Sequence, residues 1–168
     1  MNTEIVDKII VGRVEPHIYA FETNTVPNYL KIGDTCRPVE QRLDEWRRYF
    51  KDLTKLYEHE ARIQELYFRD LSVHDFVEHC KGRRRLMPGT IPNLPYYSRE
   101  FFQHATPLDI DEAIDDIKNS AAKNDGRYQF YSMQGGRIRE DFHYTRDNEP
   151  LTPRPNQQEA IDRFKKAL

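Results

Sequence analysis

The chain has 168 residues, 38% of them hydrophobic, 12% aromatic and 32% charged. That is enough apolar material for one buried core and argues against a wholly disordered chain. With 26 Lys and Arg against 28 Asp and Glu the formal charge is -2, which excludes a globally basic nucleic-acid binder but not a local basic patch.

Residues 17–21, His-Ile-Tyr-Ala-Phe, are followed by a polar stretch and then by Tyr29-Leu30-Lys31-Ile32-Gly33. Two short β-rich runs around a Pro/Asn turn predict an antiparallel hairpin. Strand alternation puts Ile18, Ala20, Leu30 and Ile32 on faces opposite to Tyr19, Phe21, Lys31 and Gly33. Pro38 suits the first turn of a helix, and Val39, Leu43, Trp46 and Phe50 recur at helical spacing behind it. Residues 52–57 read as a third strand. A second helix is predicted from Glu58 or His59, with Ile63, Leu66, Tyr67 and Leu71 as its apolar face and Glu60 on or beside that face.

Residues 81–98 read as a loop, and Arg99 to Phe102 as a short strand or turn. Asp109 with Glu112 three residues later reads as a capping box in front of the stripe Ile110, Ala113, Ile114, Ile117. The Tyr- and Gly-containing segment 127–144 reads as a β pair, Pro150, Pro153 and Pro155 as a linker, and 157–168 as a helix. The expected fold class is α+β, with a small antiparallel sheet of about three strands flanked by helices. The expected organisation is a domain over 1–124, a linker or partial β segment over 125–155, and a terminal helix over 156–168.

No apolar run approaches the roughly 20 residues of a membrane span, and the opening MNTEIVDKIIVGRVE lacks the pattern of a signal peptide. Cys36 and Cys80 lack metal-ligand spacing and read as reduced thiols. A cytoplasmic protein without membrane attachment is expected.

The residues with chemical promise are Tyr19, Lys31, Gly33, Arg42 and Glu60. Phosphodiester hydrolysis needs a group to take a proton from water, a cation for the charge on phosphorus, and help for the departing 3′ oxygen. A phenol can handle the proton, a guanidinium matches two phosphate oxygens, and a carboxylate can hold one Mg²⁺ or Mn²⁺ with positions left open. Each residue also has a plainer use: the Tyr as sheet packing, the Arg as a solvated helix flank, the Glu as a helix cap.

Taken together, HIYAF, a short gap, YLKIGDT and an Arg nine residues after the Gly resemble the GIY-YIG nuclease superfamily, and more narrowly its branch with a KIG second motif. His17-Ile18-Tyr19 stands for the first tripeptide and Lys31-Ile32-Gly33 for the second. Arg42 matches the family's helix Arg. Glu60, in HEARIQEL, resembles its metal-holding Glu, with Glu100 in SREFF as the alternative. SREFF followed by DIDEAIDDI is similar to the ending of the KIG branch. The likeness spans about residues 15–120. It implies a metal-dependent DNA endonuclease of bacterial or phage origin, with Tyr19, Lys31, Arg42 and Glu60 catalytic, one Mg²⁺ or Mn²⁺ on Glu60, Gly33 at a phosphate, and His17 and Tyr29 as secondary candidates. The sequence departs from the family where His17 replaces its first Gly and Lys31 its second Tyr. A non-catalytic DNA-targeting module is the alternative.

The basic run Lys81, Arg83, Arg84, Arg85, joined by Arg47 and Arg48, reads either as a DNA-backbone contact or as a solvated loop. The neighbouring Tyr96 and Tyr97 read as base-stacking or packing residues. The tail PRPNQQEAIDRFKKAL resembles the entry segment of superfamily 2 helicases, where Gln157 or Gln158 would contact adenine, although no GxxxxGK[ST] loop occurs in the chain. That likeness implies a helicase motor in a longer protein; the alternative is a plain amphipathic helix.

Overall fold

The computed structural model describes residues 15–133, 144–146, 149–151 and 155–167. The chain divides into two compact units, one of Val14–Gln134 and one of Met1–Arg13 with Gly135–Leu168.

In the larger unit β1 (His17–Glu22) and β2 (Tyr29–Thr35) lead into α1 (Val39–Arg47) and β3 (Thr54–Glu60). A small hairpin follows, β4 (Arg62–Ile63) and β5 (Leu66–Tyr67), then α2 (Asp70–His79), β6 (Phe101–Gln103), α3 (Pro107–Lys123) and β7 (Tyr131–Ser132). The fold is α+β, as expected. Its main sheet has four strands in the order β3-β1-β2-β6, every neighbouring pair antiparallel. The strand beyond the expected three is β6, formed where the sequence left strand and turn open.

The hairpin forms with Tyr19 opposite Gly33 and Ala20 opposite Ile32. Because side chains alternate, the sheet buries two unlike faces. Ile18, Ala20, Leu30 and Ile32 meet Val73 and Val77 of α2 and Ile110, Ala113, Ile114 and Ile117 of α3. Tyr19 and Phe21 meet Val39, Leu43 and Trp46 of α1, with Phe50 and Phe101. Each such large side chain, taken fully from water, contributes about 1.5–3 kcal/mol.

The helix expected from Glu58 does not form there. Residues 54–60 continue instead as a strand paired along β1 from Glu22↔Thr54 to His17↔Glu60. Ile63, Leu66 and Tyr67 then close a hairpin in which Ile63 opposes Leu66 and Gln64 takes φ 54°. An i, i+3, i+4 apolar spacing fits both a helical face and a tight hairpin, and pairing with β7 decides for the hairpin. The helix starts only at Asp70.

The capping box of α3 also differs from expectation. Thr106 is the N-cap: its hydroxyl accepts from the Asp109 amide, the Asp109 carboxylate accepts from the Thr106 amide at 3.0 Å, and Pro107 fills the first turn. Glu112 instead pairs with Lys81 at 2.6 Å.

In the smaller unit β8 (Tyr144–Arg146) pairs antiparallel with β9 (Glu149–Leu151), and α4 spans Pro155–Ala167. Pro150, expected in a linker, thus lies in a strand. Of the expected β pair over 127–144, β7 joins β5, and 134–143 lie outside the described residues. Among the described residues no helix is long and apolar enough to cross a membrane.

Candidate functional site

The α1 face of the sheet carries most of the chemistry. Alternation along β2 turns Lys31, Gly33 and Thr35 toward α1, and Lys31 is fully buried there. Its Nζ pairs with Glu100 Oε2 at 2.5 Å and sits 4.4 Å from the Trp46 ring centroid, but makes no hydrogen bond of good geometry. A buried ammonium demands an anion or a π face, and here it has both. Glu100 is brought in by β6: Lys31 opposes Phe101, and the Ile32 amide donates to the Glu100 carbonyl at 3.0 Å.

Tyr19, on the central strand, is 1% exposed, and its hydroxyl accepts from Trp46 Nε1 at 2.8 Å. Gly33 lies directly across the strand pair. A Cβ there would stand 2.7 Å from Tyr19 Oη and 2.9 Å from Lys31 Nζ, so only glycine lets both polar ends share this space.

Arg42 precedes Trp46 by one helical turn, and its guanidinium lies 5.2 Å from the Trp46 ring centroid. It donates to Glu45 Oε2 at 2.6 Å. Partial burial works against its charge, but the hydrogen bond to Glu45 and the nearby Tyr19 phenol outweigh this and raise its pKa. Arg42, Trp46, Tyr96, Tyr97, Arg99 and Glu100 line an open cleft of ≈ 330 Å³. The cleft wall thus carries two guanidiniums, Arg42 and Arg99, and one carboxylate, Glu100, with Tyr19 and Lys31 buried against Trp46 and Glu100.

Carboxylates that the sequence reading missed lie close by. Asp34 pairs with Arg69 at 3.0 Å and accepts from the Asp70 amide. Asp70, at the start of α2, has its pKa pushed up to about 7 by burial and by the charges of Asp34 and Glu100, against Lys31 and Arg69. His74, one turn on, is lowered to about 4 by burial, although Nε2 donates to the Ile32 carbonyl at 2.8 Å. Asp-x-x-x-His on a helix was the available signal.

Tyr19, Lys31, Gly33 and Arg42 are therefore brought together, while Glu60 is not part of their contacts. It ends edge strand β3, not a helix, and is exposed opposite His17. Glu100, the alternative, is the carboxylate that reaches the site. His17 is half-buried, its Nδ1 donating to the Glu15 carbonyl at 2.8 Å, and Tyr29 packs at the margin of the α1-side core.

The basic run does not present four bare charges. Lys81 pairs with Glu112 at 2.6 Å, Arg83 with Asp109 at 2.9 Å and Arg85 with Glu78 at 2.6 Å, leaving Arg84 exposed. Arg47 pairs with Asp44 at 2.5 Å, and Arg48 is exposed. Carboxylates supplied by α2 and α3 neutralise a run that looks basic in the sequence.

As to a metal, the described residues contain no group of three or more His, Cys, Asp or Glu arranged to hold one. Mg²⁺ needs only one or two carboxylates beside water and phosphate. Glu100 fits that lesser demand: it is 35% exposed, lines the cleft, and uses only Oε2 toward Lys31. No family model, no curated protein and no solved structure matches the chain.

Proposed function

We propose that the cleft between α1 and the loop entering β6 is the active site of a DNA endonuclease that hydrolyses phosphodiester bonds. The observation that carries the reading is that Arg42 and Glu100 line one cleft over the packed Tyr19, Lys31 and Gly33. In this reading water attacks phosphorus, the P–O3′ bond breaks, and the 3′ oxygen leaves with a proton. Arg42 binds the non-bridging oxygens and balances their growing charge. Tyr19, 1% exposed, acts as a positioning residue that holds Trp46 and Arg42 in place. Lys31 pairs with Glu100 and orients it. Glu100 is the residue that would hold one Mg²⁺ or Mn²⁺, which would supply positive charge to offset the negative charge developing in the reaction.

A supercoiled-plasmid assay with Mg²⁺ or Mn²⁺ tests this. Arg42→Ala and Glu100→Gln are expected to lower nicking about 100-fold or more with the circular dichroism spectrum unchanged. Parent-like cutting by both variants refutes the site.

One observation favours a second reading. Lys31 and Tyr19 are covered by their own packing, which suits a DNA-targeting module that binds without turnover. That module retains DNA in EDTA and never nicks. The helicase partner rests on PRPNQQEAI alone, and a reading frame continuing into a GxxxxGK[ST] loop is its test.

A further inference from the structure

Two tyrosines line the cleft, Tyr96 and Tyr97, and a third, Tyr49, lies against Tyr96. Tyr49, Tyr96 and Tyr97 are 43%, 44% and 40% exposed. Tyr49 and Tyr96 lie ring to ring with centroids 4.8 Å apart, and Tyr96 meets the Trp46 ring edge-on at 5.5 Å. Phe50 and Phe101 already fill the space beneath α1, so the tyrosine rings add little to packing there. The loop that presents them is held in place: Tyr97 donates its hydroxyl hydrogen to the Leu86 carbonyl at 2.7 Å, and Pro88, Pro92 and Pro95 restrict the backbone.

We propose that this aromatic shelf binds the unpaired base of a nucleotide beside the cleaved phosphate, so that the substrate is DNA that is single-stranded or unpaired at the site of cleavage. The inference rests on the endonuclease reading of the cleft. Arg42 and Arg99 on the cleft wall complement the phosphates, and the half-exposed Tyr96 and Tyr97 offer their rings, while the buried Trp46 backs Tyr96 from below. A paired base shows only its edges to a protein; an unpaired base shows a face, and a face is what an aromatic shelf takes. A cleft of ≈ 330 Å³ is at the small end of ligand-sized sites and suits one base rather than a base-pair step.

Trp46 is the only tryptophan of the chain, so its fluorescence reports from inside the site. The whole chain is titrated in EDTA with three probes: an oligothymidylate, its duplex with oligoadenylate, and an abasic strand of equal length. The single strand is expected to quench Trp46 and to bind more tightly than the other two. Tyr96→Ala is expected to weaken binding of the base-bearing strand by about 5- to 100-fold, with Tyr96→Phe restoring it. Half of Tyr96 is in water, so neither change threatens folding, and thermal unfolding verifies this. Equal affinity for duplex and single strand, or an equal loss on the abasic strand, overturns the inference and leaves the endonuclease reading to the plasmid assay. Failure to bind any of the three at low salt overturns both.

Discussion

Gly33→Ala is the sharpest perturbation the site admits. The added Cβ would lie 2.7 Å from Tyr19 Oη, 2.8 Å from Tyr19 Cζ and 2.9 Å from Lys31 Nζ. Comfortable contacts of carbon lie near 3.5–4.0 Å, so each partner must retreat by roughly 0.6 Å or more. Neither is free to do so at low cost. Tyr19 is 1% exposed and fixed by Trp46, and Lys31 is fully buried and fixed by Glu100. Overpacking of this kind costs about 1–3 kcal/mol, roughly 3–15 °C of unfolding midpoint for a unit of this size. A shift near 1 Å in the groups that position Arg42 should also cost about 100-fold in nicking. Gly82→Ala is the control. At φ 66° with nothing within 4 Å of its Cβ it pays about 1–2 kcal/mol of backbone strain but leaves the cleft untouched. Thermal unfolding and plasmid nicking are measured on both. An unfolding midpoint and nicking rate for Gly33→Ala equal to those of the parent would show that the close packing of Tyr19 and Lys31 around Gly33 does not govern the site.

Three further outcomes follow from charges. Asp70, raised to about 7, keeps a proton in the native state that the unfolded chain releases above about pH 4, so its contribution falls as pH rises toward 7. His74, lowered to about 4, refuses a proton that the unfolded chain binds below about 6.5, so its contribution falls as pH drops through that range, each by at most about 1.4 kcal/mol per pH unit. The two slopes oppose, and urea unfolding in EDTA should show Asp70→Asn gaining stability from about pH 4 to 6.5 while His74→Gln loses it; profiles parallel to the parent's refute this. Lys31→Met is expected to hold or raise stability, whereas Glu100→Gln costs about 1–3 kcal/mol by leaving the ammonium unpaired, moderated because Glu100 is 35% exposed; the reverse order of urea midpoints contradicts the buried pair. If the isolated chain binds duplex DNA, Arg84→Ala should reduce the salt slope of binding by about 1 at most, while Arg83→Ala mainly destabilises by taking the guanidinium from Asp109, whose side chain is 4% exposed and keeps only the Thr106 amide and a longer contact to Lys81; a large slope change for Arg83→Ala would mean that its pairing with Asp109 yields to DNA.

How much of this was legible beforehand depends on the range of each interaction. The faces of the β1–β2 hairpin and of α1 could be read because their periods, two and 3.6, are written in neighbouring residues. Alternation opposes Tyr19 to Ile18 and Ala20, and Lys31 and Gly33 to Leu30 and Ile32; that the two strands and Arg42 share one side of the sheet was implied only by the family resemblance, and the register of Tyr19 opposite Gly33 supplies it. The charged partners could not be read in the same way. Lys31 is of a type almost never fully buried, and what permits its burial is Glu100, brought alongside by the register of β6. Arg83 and Lys81 look like free cations until α3 supplies Asp109 and Glu112. Glu60 failed for a related reason: its assignment needed a helix whose apolar spacing a hairpin satisfied equally well, and it is pairing of 54–60 with β1 and of β5 with β7 that separates the two. Local periodicity therefore locates the scaffold of this site, while the carboxylate that completes it is set by strand pairing. A search for such sites in sequence alone should rank acidic residues by the strand they adjoin, not by their distance from the motif along the chain.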